Sequence, residues 1–422
     1  MSTLPSIAFF DIPYHSRLVT TLPLIKALVA RGHRIDGFTL EPFASLLASS
    51  GAQVICQPPF GIMPKDCTVN LRTIEYSMEA VPFLVAKLQE LRPALVLLTA
   101  KCLWAAIAAE RCGIKTAVIH TNALMPRGAK VSDAVYAARW PGKSESELAV
   151  IEQRDQSAWE ICRAQYDIER IDSRDVLPGL PNCMNLRGEL NVVYTSDALQ
   201  PHRQEFDDSY HFVGPCYDQR PADADSAVEA ALDRLPRPLV YCALGSMRHY
   251  NDRQNFFQSV LTACGDGRFG VVMSVGSQEA AASFDEIPPH VLVKPYVPQL
   301  AVLDRASVFV THAGTNSVFE SLLAGVPMLM CPQGGDQPIF AEQIESLGAG
   351  RWLHESSLDA PMLRSQIESV LTHPQMARQA RTLGDGLRAA GGTVRAAELI
   401  SDFAQQSLQI QIPPASSRGL AV

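Results

Sequence analysis

From Val310 to Gln337 the chain reads VTHAGTNSVFESLLAGVPMLMCPQGGDQ, and its polar residues gather at two turns. Val308, Phe309 and Val310 are apolar, two of them β-branched, and suit a buried parallel strand. That strand runs directly into His312, Ala313, Gly314, Thr315, Asn316 and Ser317. Gly314 permits a tight turn, and the amides that begin the next helix then point past the strand end. A helix N-terminus in that place favours an anion, most often a phosphate. His312, Thr315, Asn316 and Ser317 add side-chain donors at the same point. Glu320, three residues past Ser317, is an acceptor suited to two vicinal hydroxyls, or the acid of a capping box with Ser317. Asp336 and Gln337 follow the loop Pro332-Gln333-Gly334-Gly335. Asp accepts and Gln does both, which fits a ring of hydroxyl groups. This set can grip a phosphorylated, hydroxyl-rich ligand.

The elements that must position these residues alternate along the chain. Short apolar runs fall at Ser6 to Ile12, His33 to Leu40, Val54 to Cys56, Leu95 to Leu98, Thr116 to His120 and Leu190 to Tyr194. Helical stretches separate several of them, one from about Thr20 to Arg31 closed by Gly32. A second alternating block holds Leu239 to Leu244, Gly270 to Val275, Val291 to Val293, Val308 to Thr311 and Met328 to Met330. This rhythm predicts α/β architecture with parallel sheets in two Rossmann-like halves. It lapses between Asn122 and Pro181, which reads as an inserted set of helices and loops at the ligand cleft. Ser246, after a strand and Gly245, is a second strand-end phosphate candidate or an ordinary N-cap. Gly265 to Gly270 spells G-x-G-x-x-G but follows a helix and opens a strand, the reverse of the dinucleotide fingerprint; it reads as a turn.

Composition narrows the partners. The chain has 422 residues, 47% hydrophobic and 19% charged, with net charge −8. That length supports two or three domains, and that charge argues against nucleic acid as a partner. Ten scattered cysteines lack C-x-x-C spacing and a histidine cluster, so no metal site or disulfide framework is expected. No membrane span is expected from the run Ala94 to Ala109, and the N-terminus lacks a leader pattern, so a cytoplasmic location is expected.

The stretch described first resembles the donor signature of family 1 glycosyltransferases, enzymes that use nucleotide-activated sugars. The pattern is H-x-G-x-x-S-x-x-E, then G-V-P, then P-x-x-x-D-Q. Here it stands as His312, Gly314, Ser317, Glu320, Gly325-Val326-Pro327, Pro332 and Asp336-Gln337. The resemblance implies the GT-B fold, two Rossmann-like domains facing across a cleft. Residues 1–218 would bind acceptor, 219–237 link, 238–390 bind the nucleotide sugar, 391–407 cross back as a helix, and 408–422 form a flexible tail. It implies inversion at the anomeric carbon, a UDP- or TDP-hexose as co-substrate without a further cofactor, and a small, largely apolar acceptor. It implies that His312 donates to the diphosphate and offsets charge on the leaving group. Glu320 would accept from ribose, and Asp336 and Gln337 would bind the sugar. Tyr296, which otherwise reads as core, would stack on the base, with Val297 giving a backbone contact and Gln299 lying near ribose and base. Phe60, Phe83, Trp104 and Trp140 are acceptor-pocket candidates or ordinary core.

The resemblance fails at one place. Family members carry a histidine base before the first helix and an aspartate that orients it. Here Arg17 falls at the base position and Thr99 at the aspartate position. Arginine stays protonated and cannot act as a base. Three readings remain. His15, two residues away, can take the role. Alternatively the acceptor is itself acidic, a carboxylate or acidic phenol, and Arg17 clamps it. Or the protein binds the nucleotide sugar without turnover.

Overall fold

The structure is a computed structural model and describes residues 4–59, 69–129, 131–135, 144–178, 184–216, 225–245, 254–354 and 359–411. Ser246, Phe60, Trp140, residues 219–224 and residues 412–422 lie outside the described residues, and the last helix runs to Gln411, four residues into the expected tail of 408–422.

Two all-parallel sheets carry the molecule. The first joins β1 (Ile7–Phe10), β2 (Ile35–Thr39), β3 (Gln53–Cys56), β4 (Leu95–Thr99), β5 (Thr116–His120), β6 (Leu190–Val193) and β7 (Tyr210–Phe212) in the order β3-β2-β1-β4-β5-β6-β7. The second joins β8 (Leu239–Ala243), β9 (Gly270–Ser274), β10 (Val291–Lys294), β11 (Val308–Thr311), β12 (Met328–Met330) and β13 (Gly350–Trp352) in the order β10-β9-β8-β11-β12-β13. Each order reverses once, between β1 and β4 and between β8 and β11. At such a reversal the connections leave to opposite faces and open a crevice beyond the carboxyl ends of the strands. The central strands are buried on both faces, so they read as unbroken apolar runs. Phe10 stacks on Phe38 at 4.4 Å in the first sheet, and Tyr241 on Phe309 at 4.6 Å in the second. Such pairs add about 0.5–1.5 kcal/mol beyond area burial.

The first helix spans His15–Ala30, beginning five residues before the expected start near Thr20. Arg17 and Leu18 amides both bond to the Tyr14 carbonyl, which closes the first turn. The Thr20 hydroxyl folds back onto the Arg17 carbonyl, and the Thr21 hydroxyl has the Leu18 carbonyl within reach at 3.1 Å. Residues that read as loop are thus absorbed into the helix through its first backbone bonds. The last helix, Gly392–Gln411, buries Ala396, Ala397, Ile400 and Ala404 among residues of the first sheet, Ile7, Phe9 and Val192 included. Trp104 is fully buried in the core between the first sheet and the helices Val69–Leu91 and Leu103–Cys112, and Phe83 packs against that core, so both serve the interior. No helix among the described residues is long and apolar enough to cross a membrane.

Candidate active site

At the second sheet's reversal, β11 ends in Thr311 and the chain turns through His312, Ala313 and Gly314 into the helix Thr315–Ala324. Ala313 is left-handed at φ 61, an unusual state for a residue with a Cβ and one that collects at functional sites. The helix has Gly314 at its N-cap and no side-chain cap, so its first amides face outward. Ser317 lies inside the first turn, which removes the capping-box reading of Glu320. The His312 ring is held between two glycines. A Cβ on Gly314 would lie 2.4 Å from its Nε2, and one on Gly245 2.6 Å from the same atom. Burial draws the imidazole down to about 4, opposed by the nearby Asp336 carboxylate, so the ring is neutral at physiological pH. Gly314 and Thr315 are half-buried and Asn316 is exposed, so among the described residues the turn opens outward.

Around this turn the structure gathers residues far apart in sequence. Gln299, which opens the helix Gln299–Leu303, donates to Glu320 at 2.7 Å and accepts from the Tyr241 hydroxyl at 3.1 Å. Tyr241 stands on β8 next to β11, so the sheet itself aims the amide. Glu320 is 5% exposed. Tyr296 is 60% exposed, a free aromatic face and not core, while Val297 packs inward on the second sheet's core. Asp336 precedes the helix Gln337–Ser346, and Gln337 is buried with its Oε1 accepting from the Gln333 amide at 2.7 Å. The Thr315 hydroxyl lies within bonding distance of both Asp336 and Asn122, and its one proton serves one of them at a time. Asn122 belongs to the first sheet's side, so this threonine sits where the halves meet.

The first sheet's reversal opens onto a cavity of about 400 Å³. Asp11, Arg17, Thr99 and His120 line one part, and Gly335, Asp336 and Ile339 close it from the second half. Residues from the 122–181 segment complete the wall, with Asp175 gripping Arg127 and Arg187. His15 and Arg17 part company. Two residues on a helix are turned by about 200°, so they cannot face the same way. Arg17 enters the cavity and donates to the Thr121 hydroxyl at 2.9 Å, whereas His15 is exposed and outside the lining. His120 is held between Asn185 and Asn191, each 3.1 Å from a ring nitrogen, and burial draws it down to about 4.

One cavity residue carries no signature in the chain. Asp11 follows β1 directly and is 2% exposed. Its Oδ1 accepts from Thr99 at 2.8 Å and from the Ile12 amide at 2.7 Å, and its Oδ2 from Thr21 at 2.8 Å. A charged residue closing the apolar run Ile7 to Phe10 was the available signal, but only the pairing of β1 with β4 gives it meaning. Among the described residues no cluster of side chains could hold a metal ion.

Comparisons with known proteins converge on one chemistry. Residues 258–394 match the domain family described as Erythromycin biosynthesis protein CIII-like, C-terminal domain. An uncharacterized UDP-glucosyltransferase of Bacillus subtilis is 35% identical over 53% of this chain, a match that spans 54% of that relative. The oleandomycin glycosyltransferase of Streptomyces antibioticus is 29% identical over 93% of this chain and 90% of its own length. Among solved structures, the glycotransferase of kitacinnamycin superposes with TM-score 0.78 at 27% identity, covering 96% of this chain and all of that one. The calicheamicin glycosyltransferase CalG4 superposes with TM-score 0.75 at 21% identity, a likeness of fold.

Proposed function

We propose that this chain, a nucleotide-sugar-dependent glycosyltransferase of family 1 with the GT-B fold, moves a hexose from a UDP- or TDP-sugar to a small, largely apolar acceptor, with inversion at the anomeric carbon. The observation that carries the reading is the turn after β11. It combines uncapped helix amides, a neutral histidine clasped by Gly245 and Gly314, and the Gln299–Glu320 pair, beside a cavity shared with the other sheet. A diphosphate seated on those amides would bring negative charge to the His312 ring and favour its protonated form. The ring then offsets charge as the nucleoside diphosphate departs, a contribution realised at the transition state. Glu320 and Gln299 would take the ribose, Tyr296 the base, Asp336 and Gln337 the sugar, with Val297 beside the base and Ser246 near the phosphates. Asp336 touches both sites, since it lines the cavity and accepts from Thr315.

On the acceptor side the cavity favours Arg17 over His15 as the residue that meets substrate. The acceptor is a natural product whose hydroxyl or carboxylate reaches the β1–β4 end. The test is release of UDP or TDP from UDP-glucose or TDP-glucose, measured across a panel of phenols, carboxylic acids and macrolides. Transfer to at least one acceptor, with the sugar inverted by proton NMR, supports the reading. Nucleotide binding without transfer or donor hydrolysis on any acceptor would point to a binding protein.

A further inference from the structure

We propose that Asp11 is the general base of the transfer, standing at the end of β1 in place of the carboxylate that the sequence lacks at Thr99. The inference rests on the glycosyl transfer proposed above and assigns its missing proton acceptor.

Strands β1 and β4 pair with Phe10 opposite Leu98, so the next residues of each, Asp11 and Thr99, are neighbours at the crevice. The Thr99 hydroxyl donates to Asp11 Oδ1 across that gap. A family carboxylate expected on one strand is therefore supplied from the strand beside it. A carboxylate offers about four acceptor positions. Three are taken, by Thr99, Ile12 and Thr21, which leaves one on Oδ2. These bonds fix the carboxyl group without using its whole capacity.

Other cavity bases are engaged or stand on the donor side. His120 has both ring nitrogens engaged by asparagines. Asp175 is held by two guanidinium groups. Asp336 sits on the donor side and accepts from Thr315. Asp11 faces Arg17 from the helix His15–Ala30, Cys102 from the start of the helix Leu103–Cys112, and Tyr194 from beyond β6. Burial pushes Cys102 and Tyr194 up, so both are uncharged at neutral pH, and Arg17 is the charge that tempers Asp11. Burial raises the Asp11 carboxyl above the ordinary aspartate value, which makes it a better proton acceptor.

In the step, the acceptor hydroxyl gives its proton to Asp11 Oδ2 as its oxygen bonds the anomeric carbon. The bond from that carbon to the phosphate oxygen breaks, and its electron pair leaves with the nucleoside diphosphate. Asp11 returns the proton to solvent when product departs.

The test uses UDP-glucose with two probe acceptors, 4-nitrophenol, which ionises unaided at mildly alkaline pH, and 2-phenylethanol, which does not. Asp11→Asn should lower kcat on 2-phenylethanol by about 100-fold or more, since positioned bases contribute roughly 10²–10⁴-fold. The loss on 4-nitrophenol should stay several-fold at most, with KM for UDP-glucose unchanged. Formate added to Asp11→Ala should restore part of the lost rate. In the wild-type protein, kcat on 2-phenylethanol should fall on the acid side with a midpoint above the ordinary aspartate range. Equal losses on both acceptors, a loss under threefold, or a wild-type profile without that acid limb would overturn the assignment. Wild-type protein that transfers to neither probe and releases no UDP would instead remove glycosyl transfer itself, and the base with it.

Discussion

His312 shows how much one residue depends on what surrounds it. Its ring is neutral because it is buried, and placed because two glycines leave room. His312→Ala should lower kcat by about 10²–10³-fold, the scale of one lost oxyanion-type donor, with weaker effect on KM; steady-state UDP release measures it. Gly314→Ala would push a methyl into the same ring, so kcat should fall although the imidazole remains. Glu320 makes a sharper claim. A carboxylate serving both ribose hydroxyls should favour UDP over TDP, whose deoxyribose lacks one of them. Competition binding should show that preference in the wild type and not in Glu320→Ala. The residues of the turn after β11 were legible as a group because His312 to Gln337 lie in one stretch, whereas Gln299 reaches Glu320 only through the fold. Asp11 was not legible, because its neighbour Thr99 is 88 positions away and only strand register unites them.

Elements repeat that contrast. Strands β1, β4, β8 and β11 were legible from apolar runs, since strands buried on both faces carry no polar alternation. The start of the first helix was not. Pro13, Tyr14 and the residues up to Val19 look like loop, yet the Tyr14 carbonyl accepts from the Arg17 and Leu18 amides and closes the first helical turn there. That shift decides which way Arg17 points, and with it the chemistry of the cavity. The G-x-G-x-x-G at Gly265 is a turn between the helix Gln254–Ala263 and β9, as its context implied. The same bonding predicts a stability effect. Burial disfavours the Asp11 anion, while the Thr21 hydroxyl can swing to the Leu18 carbonyl 3.1 Å away. Asp11→Asn should therefore leave the melting temperature unchanged or higher at neutral pH while activity falls, a trade common at functional sites.

At the scale of the whole molecule, the halves are tied where Gly214 meets the helix Pro374–Ala389 and Gly392 bonds to Val213. His33 links the Pro5 carbonyl to Ser401 of the last helix. Acid should loosen the structure through two other histidines. His120 and His312 are both drawn down to about 4 by burial, below the ordinary value of 6.5. The unfolded chain then binds more protons in that interval, so stability present above 6.5 is lost as pH falls toward 4. Each histidine accounts for about 3 kcal/mol over the whole interval at 1.36 kcal/mol per unit. Urea midpoints measured across that interval should fall with pH, and His312→Asn should show a shallower fall.

The proposed transfer depends on a diphosphate resting against the amides that follow His312. Calorimetric titration of UDP into the wild-type protein and into His312→Ala and Glu320→Ala tests it most directly. Saturable binding at one site per chain is predicted, weakened about tenfold or more in each variant, which is about 1.4 kcal/mol. Absence of saturable binding to the wild type, or equal affinity in all three proteins, would contradict it.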